Sequence, residues 1–572
     1  MGTPLRRGSA RRSPESLNRV RRALRPGGTA PFQGCITMSA SIASPIVPPG
    51  QKPGVASWLT HGGKAKPAKA KVVIGMMAFA IMNVTTIVSL RGMPAQAEYG
   101  LASIFYYLFA AVVFLIPVSL VAAELAAAFP KQGGVFRWVG EAFGPRWGFA
   151  AVYYQWQAIV IWFPTVLIFA AAALAYIWWP PTFDEALSNN KLYTIVVLLA
   201  VYWFVTLFTF RGMQSSARLS SLGGLFGTII PGGILIALGI AYVAMGKPMH
   251  LALDTGFIPD FGNFHNMVLA AGIFLYFAGM EMQAVHVQSL ANPARNYPLS
   301  VLIATVMVVA IFVLGTLAVG VVIPREAIDL NHGLLVAYNA LWSAFGLPWL
   351  GNVMAAMLAF GVLGQVSVIV AGPSMGLLAV GKAGYLPHLL QKTNSHGIPV
   401  AILVLQGLLV TLLCISFTVL PSVQSAYQLL SQMASIIYLV MYLIMFIAGI
   451  RLRYTQPDRA RPFRIPGGNL GMWLIGLVGL AGAVVAIAFS FIPPSQINTG
   501  NPALYVGSLL LGSVIFLAIP FIIYAFHKPS WKAADSDFEP FEAETPLRSE
   551  ATSGQPETAA PGRPQRLVQA AT

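Results

Sequence analysis

The sequence predicts an all-α integral membrane protein of twelve transmembrane helices, and three observations carry that fold class. Hydrophobic residues make up 56% of the 572 and charged residues only 9%, against about 25% charged in soluble domains. Apolar runs of about 20 residues, long enough to cross a bilayer, recur along residues 71–528. Lys and Arg gather in alternate loops, as they do where one set of loops stays in the cytoplasm.

The expected spans lie near 72–93, 103–127, 150–178, 192–210, 222–245, 266–290, 299–323, 350–380, 399–420, 427–450, 471–492 and 503–526. Pro117, Pro164, Pro231 and Pro373 fall inside them, which membrane helices tolerate because neighbouring groups re-satisfy the freed backbone. With the N-terminus inside, the inner loops between spans hold 13 Lys/Arg and the outer loops hold four: Arg91, Lys191, Lys247 and Arg325. Both termini are therefore expected in the cytoplasm.

Before the first span, residues 1–71 carry 13 Lys/Arg against the single acid Glu15. Residues 1–70 are rich in Arg, Ser, Pro, Gly and Lys without a helical period and are expected to be disordered. The arginines of residues 1–37 suggest either a transit peptide or an upstream start artefact with Met38 as the true start. The second reading is preferred because the stretch lacks an amphipathic period. After the last span, residues 529–572 form a hydrophilic tail, also expected to be disordered. The basic balance reflects the arm and the topology and does not point to nucleic acid. Cys35 and Cys414 imply no disulfide framework or metal cluster, and neither a P-loop nor HExxH is present; no metal or cofactor is expected.

Two spans are interrupted. The first, KVVIGMMAFAIMNVTTIVSLRGMPAQAEYG, loses its apolar run at Ser89-Leu90-Arg91-Gly92 and meets Pro94. The sixth breaks after Phe277, where Ala278-Gly279-Met280-Glu281 places a glycine and a carboxylate at membrane depth. The interruptions open two five-span halves that enter the membrane from opposite sides, the pattern of an inverted-repeat transporter with its site at the repeat interface. Half-helix ends present free N–H and C=O groups, which suit a carboxylate and an ammonium. The candidate substrate-binding residues are thus Ser89, Leu90, Arg91, Gly92, Phe277, Ala278, Gly279, Met280, Glu281 and Gln365. Glu281 is also the proton-coupling candidate, because an acid inside a membrane is functional by default.

LVAAELAAAFPKQGGVFRWVGEAFGPRWGF at 120–149 and GMEMQAVHVQSLANPARNYPLS at 279–300 resemble the amino acid–polyamine–organocation superfamily. VAGPSMGLLAVGKAGYLP at 370–387, PFRIPGG at 462–468 and FIPPSQI at 491–497 resemble its bacterial glutamate/γ-aminobutyrate antiporter branch. The resemblance spans about residues 71–528. It implies a leucine-transporter-type fold in the plasma (inner) membrane and exchange of external glutamate for internal γ-aminobutyrate, with amino acids, protons and lipid as partners. It matches Glu281 to the family's acid at the sixth-span break, and His527 to a pH-sensing histidine at the root of a tail that plugs the inner mouth in some members. SLRGMP departs from the branch pattern. The alternatives are proton-coupled uptake of a neutral or cationic amino acid, and a non-transporting amino acid sensor.

Several residues carry two readings. Arg91 either attracts a substrate carboxylate or, slightly preferred, snorkels to the outer interface or pairs with Glu98. Glu124 is expected to cap its helix or pair with Lys131. His286 lies about 140° round a helix from Glu281 and reads as a packing residue. Gly361 and Gly364 either line the cavity with Gln365 or serve close helix packing. Tyr153, Tyr154, Trp156 and Trp162 form an aromatic gate, anchor at the interface or simply pack.

Overall fold

The computed structural model describes residues 75–129, 133–178, 184–251, 256–259, 264–284, 290–494, 500–534, 536 and 538–541. All belong to one compact unit, Ala70–Thr572. The N-terminal arm, Lys131, His286 and the tail beyond Phe541 lie outside the described residues.

The regular elements are helical: α1 Met76–Ile87, α2 Met93–Ala97, α3 Ala102–Ala128, α4 Val135–Phe143, α5 Pro145–Ala175, α6 Asp184–Ser188, α7 Lys191–Thr209 and α8 Gln214–Ala244. After the sixth-span pieces α9 Gly272–Tyr276 and α10 Met280–Ala284 come α11 Pro293–Val322, α12 Gly333–Ala344, α13 Trp349–Val380, α14 Val400–Val419, α15 Val423–Thr455, α16 Gly468–Ser490 and α17 Pro502–Ala525. Among the described residues, nine helices are long and apolar enough to cross a membrane, or ten when the bent pair α1–α2 counts as one span. The runs expected at 266–290 and 399–420 appear as shorter apolar stretches, Val268–Gln283 and Val400–Ile415. The amphipathic α4 and the short α12 are not among the expected spans.

Both expected interruptions are present, displaced by a few residues. In the first span, Thr85 donates to the carbonyls of Ile81 and Met82, and Thr86 to that of Met82, at 2.8–3.0 Å; such back-bonding bends helices. The helix stops at Ile87, and Val88 and Ser89 are extended, with ψ of 117° and 110°. Pro94 lacks an N–H and its ring crowds the carbonyl four residues earlier, so the chain restarts through a 3₁₀ turn at Leu90–Gly92 and bends by 47°. In the sixth span, α9 ends at Tyr276 and Gly279 takes φ of +112° before α10 begins. Only glycine adopts that angle without strain.

The long helices α5 and α15 pack along each other through the middle of the unit, with α13 and α4 against α5 and α16 against α15. Where α8 crosses α13, a Cβ on Gly227 would lie 2.0 Å from the Gly361 Cα, and one on Gly223 would lie 2.7 Å from that of Gly364. Gly361 and Gly364 therefore permit the close approach that small residues give membrane helices, and Gly361 also lines a small recess with Gln365.

Glu124 is buried in a bidentate pair with Arg453 at 2.5 and 2.6 Å, and also accepts the Ile465 N–H at 2.8 Å. The expected helix-end role thus takes a different form, joining the end of α3 to the end of α15. Glu98 pairs with Arg325 at 3.5 Å. Asp329 pairs with His332 at 3.1 Å and accepts N–H groups of Asn331 and His332 at 2.7 and 3.0 Å.

The expected boundary after residue 528 does not mark the end of ordered contact. Ala533 N–H donates to the Lys382 carbonyl at 2.9 Å, and Arg137 donates to the Glu539 carbonyl at 2.6 Å. Phe538 and Phe541 pack on Phe136, with Arg137 over both rings. The described residues of 529–541 are thus docked on α4 and the 381–391 turn.

Candidate functional site

The two breaks meet at a cavity. Span one contributes Thr86, Ser89 and Arg91; the sixth span contributes Tyr276, Ala278 and Gly279. Trp162 of α5, Gln365 of α13 and Tyr438 of α15 close the remaining sides. The space open to water centres is about 70 Å³, room for several waters at about 10–15 Å³ each. Gln283 donates to Thr86 Oγ1 at 2.8 Å, tying the two broken spans together beside it.

At one end lies a polar-aromatic layer. Arg91 is 3% exposed, so it neither snorkels to the interface nor pairs with Glu98, and that preferred reading is corrected. Its Nη1 donates to Thr165 Oγ1 and Tyr427 Oη, both at 3.2 Å. The guanidinium lies 5.2 Å from the Trp162 ring centre and 5.6 Å from that of Tyr427, within cation–π range. Tyr276 and Tyr427 meet hydroxyl to hydroxyl at 3.5 Å. Gly92 is needed there because a Cβ would overlap the Tyr276 ring. Beyond this layer is a smaller recess lined in part by Gln428, Ser431 and Gln432.

Glu281, expected to bind substrate, does not itself line the cavity. It is 1% exposed and stands behind the cavity wall. Its Oε1 accepts the Tyr438 hydroxyl at 2.6 Å and Gln155 Nε2 at 2.8 Å. Its Oε2 accepts the Tyr442 hydroxyl, whose oxygen in turn accepts the Gly279 N–H at 2.8 Å. The backbone break, the acid and the cavity wall are therefore one connected network.

Of the residues expected to bind substrate, Ser89, Arg91, Ala278, Gly279 and Gln365 line the cavity. Leu90 faces a small adjoining recess with Gln365. Phe277 instead packs tilted against Tyr107 and edge-on against Phe312, and Met280 is fully buried in the apolar core. Neither lines the cavity. His527 stacks on Tyr524 with ring centres 4.5 Å apart, and its Nδ1 lies 2.6 Å from the Tyr524 carbonyl, away from the cavity. Of Tyr153, Tyr154, Trp156 and Trp162, only Trp162 lines the cavity. Trp156 donates to Ser374 at 3.2 Å and Tyr154 to the Leu517 carbonyl at 2.8 Å.

The sequence reading missed Tyr427, Tyr438 and Tyr442. A signal was present: Tyr427, Ser431, Ser435, Tyr438 and Tyr442 recur every three or four residues along α15, a spacing that puts them on one face. Among the described residues, no three His, Cys, Asp or Glu side chains converge as metal ligands would.

Comparison with known proteins agrees with this architecture. A family profile described as amino acid permease matches residues 74–518. An uncharacterized transporter of Legionella pneumophila is 38% identical over 458 residues, covering 80% of this chain and 98% of that protein. A glutamate/gamma-aminobutyrate antiporter of Lactococcus lactis is 33% identical over 459 residues, covering 79% and 90%. A probable agmatine/putrescine antiporter of the same species is 22% identical over 460 residues, covering 77% and 92%. The chain belongs to the amino acid permease family of the amino acid–polyamine–organocation superfamily, in which it is similar to the bacterial glutamate/γ-aminobutyrate antiporters.

Proposed function

We propose that this transporter is an amino acid antiporter of the cell's inner membrane, exchanging external glutamate for internal γ-aminobutyrate by alternating access. In this reading twelve spans cross the membrane, the first ten form two inverted five-helix repeats, and both termini are cytoplasmic. The observation that carries it is the cavity shared by the two broken spans, with Glu281 hydrogen-bonded to its wall through Tyr438. A cavity at the junction of two discontinuous helices suits a small zwitterion. The names of the Lactococcus relatives supply the substrate pair. Decarboxylation of the imported glutamate to γ-aminobutyrate and carbon dioxide consumes a cytoplasmic proton, and exchange supplies the substrate and removes the product, which fits a role in acid resistance. Glu281 couples the cycle to pH by exchanging a proton with the compartment to which the cavity opens. The docked residues of 529–541 fit a tail that braces the inner end of the transporter.

Purified protein in liposomes tests this. Uptake of labelled glutamate should require internal γ-aminobutyrate and fall as external pH rises, and Glu281→Gln should flatten that profile. Uptake into unloaded vesicles driven by a proton gradient alone would replace exchange with symport. An unchanged profile in Glu281→Gln removes the coupling role.

A further inference from the structure

Arg91 presents an anomaly that exchange by itself does not explain. A charge buried at membrane depth is costly unless an anion and hydrogen bonds compensate it. Among the described residues no carboxylate lies within ion-pairing distance of Arg91, and none of the side chains lining the cavity is acidic. Glu281 does not answer the charge, because its oxygens already accept Tyr438, Gln155 and Tyr442 behind the wall. The guanidinium is nevertheless held in one place: Nη1 is committed to Thr165 and Tyr427, and the rings of Trp162 and Tyr427 fix its position. Nε is buried without a hydrogen-bond partner, and Nη2 donates to no protein acceptor among the described residues. Nε and Nη2 together are the edge of an arginine that takes a carboxylate side-on through two parallel hydrogen bonds.

We infer that Arg91 is the specificity-determining anion anchor of this cavity, its free Nε–Nη2 edge receiving the side-chain carboxylate of an acidic amino acid. The inference rests on the cavity being the substrate site proposed above. It also accounts for a requirement of the proposed exchange. Glutamate and γ-aminobutyrate differ in the α-carboxylate, which decarboxylation removes, and share the distal carboxylate and the amine. An anchor for the distal carboxylate therefore serves both partners, whereas an anchor for the α-carboxylate serves only one. A fixed cation with no acid on the wall also repels the polyamines named for more distant relatives.

The test begins on the wild type, where folding is not in question. Glutamate, glutamine, the γ-methyl ester of glutamate and isoglutamine (the α-amide) compete against labelled glutamate in counterflow into preloaded proteoliposomes. The γ-ester and glutamine should compete at least tenfold more weakly than glutamate, and isoglutamine more strongly than either. Arg91→Gln should cut exchange of both glutamate and γ-aminobutyrate at least tenfold and lower the glutamate-to-glutamine preference by a similar factor, with Arg91→Lys between. A γ-ester that competes as well as glutamate overturns the inference, as does an unchanged preference in monodisperse Arg91→Gln. Wild-type exchange restricted to neutral or cationic amino acids overturns it while leaving antiport standing. Absence of any amino acid exchange overturns the proposed function itself.

Discussion

Tyr438→Phe isolates one hydrogen bond of the Glu281 layer. The hydroxyl donates to Glu281 Oε1 at 2.6 Å, and the ring stacks on Tyr442 with centres 5.0 Å apart. Phenylalanine keeps the ring and its packing, so the cavity wall stays where it is. Gln155 remains on Oε1 and Tyr442 on Oε2, so no buried acceptor is stranded. A hydrogen bond to a charged group contributes about 1.5–3 kcal/mol. If it must break for the cavity to open on that side, its loss raises the open population roughly ten- to hundredfold. Cysteine at Ala278, which lines the cavity, reports this as the rate of modification by a small thiol reagent. Cys414 is 1% exposed and contributes no background, and Cys35 is replaced by serine. Modification of the detergent-solubilised Tyr438→Phe/Ala278→Cys protein should be at least tenfold faster than that of Ala278→Cys alone. Equal rates, with Tyr442→Phe also without effect, would mean that the layer is not a barrier and that Glu281 is merely a buried structural acid.

Two further outcomes test the scaffold. Gly227→Ala places a methyl 2.0 Å from the Gly361 Cα and 2.8 Å from the Met357 carbonyl, so α8 and α13 must separate. The cost is about 1–3 kcal/mol, read as a drop of several degrees in thermal unfolding, whereas Gly376→Ala, in the same α13 with nothing within 4 Å, should leave it unchanged or raise it. Asp329 lies outside the spanning segments; burial works to raise its carboxyl, but hydrogen bonds and charge from His332, with the N–H groups of His332 and Asn331, hold it below the usual range. A depressed carboxyl stabilises the fold while it is ionised and loses that contribution as pH falls through its folded-state value. The melting difference between wild type and Asp329→Asn should therefore shrink as pH falls below about pH 4; a difference that persists undiminished well below that pH refutes the assignment.

The long spans were legible because hydropathy over about 20 residues is a property of composition alone. The breaks were legible because Pro94 and Gly279 act locally on their own backbone. What could not be read was the partner of each polar group. Sequence proximity offers Glu124 a helix-capping role or the neighbouring Lys131, while the structure places it on Arg453, 329 positions away. Arg91 looked like an interface residue because loop charge predicts a side of the membrane and says nothing of a pocket formed by Thr165 and Tyr427. The tyrosines of α15 were hidden by their type, since a tyrosine in an apolar helix is equally an interfacial anchor; only their common face distinguished them. In the tail, Phe538 and Phe541 were the overlooked signal, two aromatics three positions apart in an acidic stretch that dock on α4.

In the exchange cycle proposed above, the common face of α15 has a mechanical consequence. Tyr427 closes one end of the cavity with Tyr276 and Arg91, and Tyr438 and Tyr442 close the other with Glu281. The two contacts sit on one rigid helix, eleven residues apart, about 16 Å along its axis. A tilt of α15 about a point level with the cavity moves its two ends in opposite directions. Loosening Tyr438 from Glu281 then presses Tyr427 toward the first break, and the reverse tilt does the opposite. Simultaneous opening at both ends would require α15 to withdraw bodily from α5, along which it packs over much of its length. Alternation thus follows from where the tyrosines sit on α15, and needs no separate signal between the two sides.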